Sequence, residues 1–210
     1  MRSLKIQSLW VMFLLSLTGC DEADVTVGIE ESETSIVSEI AEEGALDGIT
    51  EAHNVVRTDH ALEPLVWDGE LAAIADEWAE HLATTNDCIM EHRPSQEVNL
   101  DQDGTAVVGT GNFVNGMFIG ENLYWQQTSQ SPAPMALPTD VVNAWASEIE
   151  FYDYETNSCE EGQMCGHYTQ VVWADTERVG CAYRTCDGLG SQVWVCNYYP
   201  AGNFNGEKPY

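Results

Sequence analysis

The sequence predicts an α+β fold that is held together by disulfides. Apolar residues recur at helical spacing between residues 49 and 149, whereas the C-terminal third contains alternating or continuous β-branched runs that are typical of strands. Helices that precede an antiparallel sheet indicate an α+β domain rather than a doubly wound one. Six of the seven cysteines lie between residues 88 and 196, which indicates three disulfides in an exported domain.

Three helices are predicted from the spacing of apolar residues, and Asp68 is the predicted N-cap of the second. Residues 93–119 are rich in Gly, Asn and Asp without clear periodicity, and residues 126–139 contain three prolines, so both stretches are predicted to be loops. The residues that define the helices are Ile49, Ala52, His53, Val56 and His60; Leu71, Ala75, Trp78, Ala79 and Leu82; and Val142, Trp145 and Ile149.

Three strands are predicted in the C-terminal third, over residues 168–173, 178–184 and 192–199. The dipeptide Asp187-Gly188 between the last two is a typical hairpin turn. These strands are expected to form an antiparallel sheet.

The chain is strongly acidic. Its 210 residues include 35 Asp and Glu against 7 Lys and Arg, for a formal net charge of -28. Nucleic-acid binding needs cations that displace counterions from phosphates, so this charge excludes a nucleic-acid-binding role. Anionic lipid headgroups repel the same charge, so we expect membrane contact only through a covalent lipid anchor.

Residues 1–20 are predicted to be a lipoprotein signal peptide. Arg2 and Lys5 precede a mostly apolar run over residues 6–17 that is too short to span a bilayer. The run ends in the sequence LTGC, which resembles a bacterial lipobox, so the mature chain is expected to begin at a lipid-modified Cys20. The alternative is an ordinary signal peptide that is cleaved nearby, with Cys20 discarded.

Residues 21–47 are predicted to be a disordered tether. They carry ten acids, no basic residue and no aromatic residue, so they cannot bury enough apolar area to offset the entropy of ordering. Repulsion between like charges would keep the tether extended. The folded domain is expected to occupy residues 48–210, and an interaction tail is the alternative interpretation of the acidic segment.

Spacing alone leaves the disulfide pairing open. Zinc binding is the competing interpretation of the cysteines, but no pair has the CxxC spacing of a structural zinc site. The six cysteines are Cys88, Cys159, Cys165, Cys181, Cys186 and Cys196.

Four motifs resemble those of a known family. Residues 166–176 read GHYTQVVWADT, residues 193–204 read VWVCNYYPAGNF, and two shorter motifs are HNVVR at residues 53–57 and GENL at residues 120–123. They resemble the CAP superfamily of cysteine-rich secretory proteins, antigen five and plant pathogenesis-related class one proteins. The resemblance covers residues 48–210 and is nearest to the plant branch, including the ending Gly-Glu-Lys-Pro-Tyr.

The resemblance implies an α-β-α sandwich with a central antiparallel sheet and a cleft where two histidines and two acidic residues converge. By motif, this tetrad is His92, Glu121, Glu148 and His167, with His92 carried over on the shorter match Cys-x-x-x-His. The 28 residues from 93 to 120 form a longer connection than in plant members, which could fold over the cleft or change its mouth. The implied disulfides are Cys88–Cys186, Cys159–Cys165 and Cys181–Cys196.

The tetrad allows more than one chemistry. His92 and His167 can bind Zn²⁺, with Glu121 and Glu148 hydrogen-bonded behind them. A metal with an open position could activate water for hydrolysis, although the sequence offers no obvious third strong ligand, nucleophile or oxyanion donor. Alternatively, each Glu–His pair is purely structural and ties a loop to a neighbouring element.

We therefore expect an exported CAP domain, lipid-anchored at the cell envelope, in the periplasm or extracellular space. Its expected role is that of a non-catalytic binding module for a small hydrophobic or sterol-like ligand or for a protein partner, and enzymatic activity is left open. The alternatives are a metal-assisted hydrolase or peptidase that uses the tetrad, and a host-interaction antigen with an inert tetrad. No cofactor is required, zinc binding is expected to be weak, and the protein is expected to be a monomer.

Overall fold

The computed structural model describes residues 40–94, 112–114, 116–129, 134–186 and 190–210. The predicted signal peptide with Cys20, most of the predicted tether, residues 95–111 and the dipeptide Asp187-Gly188 lie outside the described residues. Within the described ranges, no helix is both long and apolar enough to span a lipid bilayer.

The described residues form four α-helices and seven β-strands. The helices are α1 (Ile49–Thr58), α2 (Gly69–Thr85), α3 (Pro138–Ala146) and α4 (Gly166–Val171). The strands are β1 (Val66–Trp67), β2 (Asn112–Val114), β3 (Met117–Gln127), β4 (Tyr152–Asp153), β5 (Ser158–Cys159), β6 (Arg178–Cys186) and β7 (Ser191–Tyr199). Short 3₁₀ turns cover Gly44–Leu46 and Ser147–Phe151.

The central sheet has five strands in the order β1-β6-β7-β3-β2. Neighbouring strands are antiparallel except for β1, which runs parallel to β6. Helix α2 packs on one face of the sheet, whereas α1, α3 and α4 share a core with the other face. This three-layer arrangement confirms the expected α+β class and α-β-α sandwich.

The alternation of side chains along β7 supplies both cores. Val193 and Val195 pack in the core with α2, whereas Trp194 and Tyr198 pack in the core with α1, α3 and α4. Gly180 in β6 allows α2 to lie close to the sheet, because a Cβ atom there would collide with the α2 backbone.

The predicted helices are confirmed apart from their ends. Asp68 caps α2, since its Oδ1 accepts the backbone N–H groups of Glu70 and Leu71 at 2.9 and 3.0 Å. His60 and Ile149 lie beyond the ends of α1 and α3. Ile149 falls in the 3₁₀ turn, where its side chain is exposed rather than buried on a helical face.

The predicted strand over residues 168–173 is wrong, because this segment forms most of α4 and the turn after it. Its β-branched residues favour a strand. Tertiary contact overrides that preference: the Glu148 carboxylate accepts the N–H groups of His167 and Tyr168 at 3.0 and 3.1 Å and so stabilises the first turn of the helix.

The predicted loop over residues 93–119 contains strand structure at its C-terminal end. Strand β2 and the first residues of β3 lie within it, and β3 continues to Gln127, inside the second predicted loop. Strand β3 was not predicted because its apolar alternation is interrupted by Gly120, Glu121 and Asn122. Its pairing with β7 supplies the missing stabilisation.

Ordered contacts begin before the predicted domain boundary at residue 48. Glu42 accepts the backbone N–H and the hydroxyl of Thr50 at 3.0 and 2.7 Å, so it caps the start of α1. Leu46 is buried in the core. Residues 40–47, which the sequence analysis assigned to the tether, therefore contribute to the domain.

Three disulfides connect the cysteine pairs that the family resemblance implies. The pairs are Cys88–Cys186, Cys159–Cys165 and Cys181–Cys196. The first joins the segment after α2 to the end of β6, the second closes a short loop between β5 and α4, and the third links directly paired positions of β6 and β7.

A buried chain of hydrogen bonds joins α1, the sheet and α4. His53 donates from Nδ1 to the carbonyl of Ile49 at 2.8 Å, and its Nε2 lies 2.8 Å from the hydroxyl of Tyr198. Asn122 donates from Nδ2 to the same hydroxyl at 3.2 Å and to the carbonyl of His167 at 3.0 Å. This network connects β3 to α4 from inside the core.

Acid is expected to destabilise the domain through His53. Burial lowers the pKa of His53 from 6.5 to about 4, so between these values the unfolded chain binds a proton that the folded chain does not. The contribution of this group to stability is therefore complete above pH 6.5 and declines as the pH falls toward 4. Denaturant unfolding should show a loss of about 2–3 kcal/mol from this group near pH 4.5.

The control compares the change in unfolding free energy between pH 7 and 4.5 in two variants. His53→Gln should reduce the acid-induced loss, whereas Asn143→Gln, which changes an exposed side chain without a titratable group, should leave it unchanged. An identical pH dependence in the unmodified chain and His53→Gln would contradict the assignment.

Candidate functional site

His167 and Glu148 form the first of two histidine–carboxylate pairs. His167 is in the first turn of α4, and Glu148 is in the 3₁₀ turn after α3. The Nδ1 of His167 donates to Oε1 of Glu148 at 2.6 Å, while Oε2 of Glu148 accepts the N–H groups of His167 and Tyr168. The two side chains are only 15% and 13% exposed. Both oxygens of Glu148 are therefore occupied.

His92 and Glu121 form the second pair, between the segment after α2 and strand β3. The Nδ1 of His92 and the backbone N–H of Arg93 donate to Oε1 of Glu121 at 2.8 and 3.0 Å. The Glu121 side chain is 2% exposed, whereas that of His92 is 60% exposed. Oε2 of Glu121 is buried and has no hydrogen-bond partner among the described residues.

Aromatic contacts hold both pairs in place. The ring of Trp145 in α3 stacks on His167 with 6.3 Å between the ring centroids. Next to His92, the Arg93 guanidinium lies 5.1 Å from the ring centroid of Trp78 and donates to the carbonyl of Ile74 at 2.8 Å. Each imidazole is therefore attached to a different part of the core.

The two pairs meet at one cleft of about 820 Å³. His92, Glu121 and His167 line it, as the family resemblance implies, and Glu148 lies behind His167 rather than in the lining. Met164 and Trp173 contribute apolar surface to the walls.

Gln170 forms part of the cleft wall, and the sequence analysis did not identify it. Its Oε1 accepts the N–H of Gly202 at 3.0 Å, and its Nε2 donates to the hydroxyl of Thr176 at 3.2 Å. Gly120 leaves room for this side chain, because a Cβ atom there would collide with the Gln170 amide. The residue lies in the motif over 166–176, but the strand predicted for that segment did not indicate that the Gln170 side chain lines the cleft.

The residues after β7 form another wall that the sequence analysis did not predict. Phe204, Glu207 and Pro209 line the cleft. The wall is anchored by Tyr210, whose hydroxyl lies 2.9 Å from that of Tyr168. The motif over residues 193–204 was the available signal, but its last residues lie outside any regular element.

The hydrogen bonds define the chemistry that the imidazoles can offer. Because each Nδ1 donates to a carboxylate, Nε2 remains to accept a hydrogen bond or to bind a metal. An imidazole supported in this way can also act as a general base. The nearby hydroxyls of Ser158 and Thr169 are bonded instead to the side chains of Thr156 and Asn203, at 2.8 and 2.6 Å.

The donor set determines which metal site the cleft could provide. Among the described residues, no group of three or more His, Cys, Asp and Glu side chains is arranged to hold a metal ion. The two imidazoles that line the cleft supply at most two protein ligands, so water would have to supply the others in an open site. They do not fit a closed structural zinc site, which needs four protein ligands.

The chain matches the sequence profile of the Cysteine-rich secretory protein family, CAP, over residues 50–198. Pathogenesis-related protein 1A of Nicotiana tabacum is 38% identical over 160 residues, which cover 76% of this chain and 77% of that protein. The profile match includes both histidine–carboxylate pairs.

Solved structures show the same fold. Venom allergen-like protein 4 of Schistosoma mansoni superposes with a TM-score of 0.52 and 25% identity, covering 78% of this chain and 91% of that chain. The crystal structure of NaASP2 with Zn²⁺ superposes with a TM-score of 0.54 and 22% identity, covering 83% and 88%.

The His92 ring is expected to titrate above its ordinary range. The hydrogen bond to Glu121 raises the pKa of His92 above 6.5, so the stabilisation from this pair is complete below pH 6.5 and declines as the pH rises through the folded-state pKa. A histidine-ring NMR titration should show that Glu121→Gln lowers this pKa. Glu148→Gln is the matched control and should leave the pKa of His92 unchanged. If His92 has the same pKa in Glu121→Gln as in the unmodified chain, the assignment is refuted.

Proposed function

Because this chain belongs to the cysteine-rich secretory protein (CAP) family, we propose that it is an exported, non-catalytic binding module whose ligand occupies the cleft lined by His92 and His167. The observation that carries the proposal is the cleft itself, whose volume of about 820 Å³ lies in the range of small-molecule sites. Family membership alone does not identify a ligand, since one fold hosts many functions.

The hydrogen bonds around the cleft favour binding over catalysis. Nucleophilic catalysis by a hydroxyl needs a base within hydrogen-bonding distance. The hydroxyls of Ser158 and Thr169 bond to other side chains, and Tyr152 donates to Asn157 at 2.6 Å. These lining groups hold the walls together.

The composition of the walls favours a ligand with an apolar body and a polar group. Met164 is 60% exposed, and it lines the cleft together with Trp173 and Phe204. The two imidazoles, which line the same cleft, supply polar contacts. A small hydrophobic or sterol-like molecule with one polar end, or a segment of a protein partner, has this character.

A zinc-dependent hydrolase or peptidase is the second candidate, and the carboxylate behind each imidazole favours it. Histidine ligands of zinc commonly donate their second ring N–H to a carboxylate, and the solved NaASP2 structure contains Zn²⁺. In this chain His92 and His167 would hold the ion, while Glu121 and Glu148 orient the rings. A bound zinc ion would lower the pKa of a coordinated water.

Three disulfides and membership of a secretory family support export. We propose that lipid on Cys20 then anchors the protein at the cell envelope, with the domain in the periplasm or extracellular space.

Small amphipathic molecules are expected to bind in the cleft. In aromatic NMR spectra of the full chain, binding fragments should shift the ring signals of His92 and His167, because both rings line the cleft. Chelator in the buffer prevents metal from causing the shifts. Gln163→Trp, which enlarges a lining side chain, should abolish them, whereas Glu155→Trp, outside the lining, should not.

Two outcomes would decide against the binding proposal. Fragments that shift other residues while both rings stay unchanged would place the ligand site elsewhere. If Zn²⁺ added without chelator shifts both rings at equimolar concentration and fragments shift neither, the metal site is the better description of the cleft.

Lipid anchoring is expected to depend on Cys20. The full chain expressed in a bacterial host should partition into the detergent phase and carry a lipid-modified N-terminal cysteine by mass spectrometry. Cys20→Ser should move the protein to the aqueous phase, whereas Asp21→Asn should not. An unmodified N-terminus downstream of Cys20 would establish the ordinary signal peptide instead.

A further inference from the structure

The two carboxylates differ in one respect that the sequence does not reveal. Glu148 accepts hydrogen bonds on both oxygens, whereas Glu121 accepts them from the described residues on Oε1 alone. The free Oε2 belongs to a side chain that is 2% exposed and that lines the cleft. A buried carboxylate oxygen without a donor is unfavourable, because it has lost water and gained no partner.

No lysine or arginine of the described residues donates a hydrogen bond to this oxygen. In the described lining, Arg93 is the one lysine or arginine. Its terminal nitrogens donate to the Ile74 carbonyl and lie 3.5 Å from Glu77, and its Nε, which is buried, has no hydrogen-bond partner among the described residues. The other basic side chains of the described residues are engaged elsewhere. Arg57 binds backbone carbonyls, Arg178 pairs with Asp68, Arg184 pairs with Asp76 and Glu80, and Lys208 lies over Tyr154.

The rim of the cleft adds negative charge. Glu207 lines the cleft, and Glu160 and Glu161 are exposed between the lining residues Cys159 and Gln163. These carboxylates stand on a chain whose formal net charge is -28. Charge of one sign around a cleft raises the local concentration of ligands of the opposite sign.

We propose that the cleft accepts the ammonium or guanidinium group of a lysine or arginine side chain from a peptide segment of a protein partner, with Oε2 of Glu121 as its hydrogen-bond acceptor. The inference rests on the proposed function of the cleft as a ligand site and names the ligand class. The aliphatic stem of such a side chain matches the apolar surface of Met164 and Trp173, while its charged end meets the carboxylate. A charge-assisted hydrogen bond of this kind is stronger than a neutral one.

The test uses two capped pentapeptides that differ at one atom of the central side chain. One contains arginine, and the other contains citrulline, which keeps the shape but has no charge. Affinities are measured by NMR titration of the full chain with chelator present. The arginine peptide should shift the His92 and His167 rings and bind at least about tenfold more tightly than the citrulline peptide.

Matched variants assign the preference to Glu121. Glu121→Gln should reduce the difference in affinity between the arginine and citrulline peptides to about twofold or less, because it removes the negative charge of the carboxylate. Glu155→Gln makes the same chemical change at an exposed carboxylate outside the lining and should keep the preference. The rim pair Glu160→Gln with Glu161→Gln should weaken arginine binding more than Glu51→Gln with Glu63→Gln, which changes the net charge equally at exposed positions outside the lining.

The outcomes separate this inference from the function on which it rests. Equal binding of both peptides with shifts at both rings would leave the cleft a binding site and reject the cationic class. A preference that survives in Glu121→Gln, or equal losses from the two double variants, would indicate general attraction to an acidic protein and overturn the inference. Binding of neither peptide would also reject it, and the fragment titration then decides the binding function separately.

Discussion

The arrangement of the site depends most on the Glu148 carboxylate. It accepts three N–H groups from the start of α4. These bonds stabilise a helix in a segment whose β-branched residues favour a strand. The helix directs His167 and Gln170 toward the cleft. A strand over the same residues would instead send alternate side chains to opposite faces.

The buried polar network connects α4 to the strand that carries Glu121. Asn122 follows Glu121 in β3, so neighbouring residues of one strand serve the cleft and the core. The Asn122 amide bonds to the carbonyl of His167 and to the Tyr198 hydroxyl, which in turn meets His53 of α1. The two pairs are thus connected through the core, although they share no direct contact among the described hydrogen bonds.

Local patterns predicted the parts of the fold that local physics determines. The helical spacing of α1, α2 and α3 and the strand composition of β6 and β7 were sufficient, and the motifs identified the four tetrad residues and the disulfides. The prediction failed where contacts between residues far apart in sequence stabilise an element. Glu148 stabilises α4, and pairing with β7 stabilises the polar strand β3. The unpartnered state of Oε2 of Glu121 among the described residues could not be predicted for the same reason. Whether an oxygen has a donor depends on all of its neighbours in the fold rather than on its own motif.

The wall after β7 has a consequence for biogenesis. Phe204 and Pro209 line the same cleft as His92, so the cleft combines residues separated by more than half of the chain. In a chain that emerges N-terminus first, both glutamates and both histidines are synthesised before the residues of this wall. The cavity is therefore completed only after residues 204–209 have emerged, and a ligand that needs this wall cannot assist the earlier folding steps.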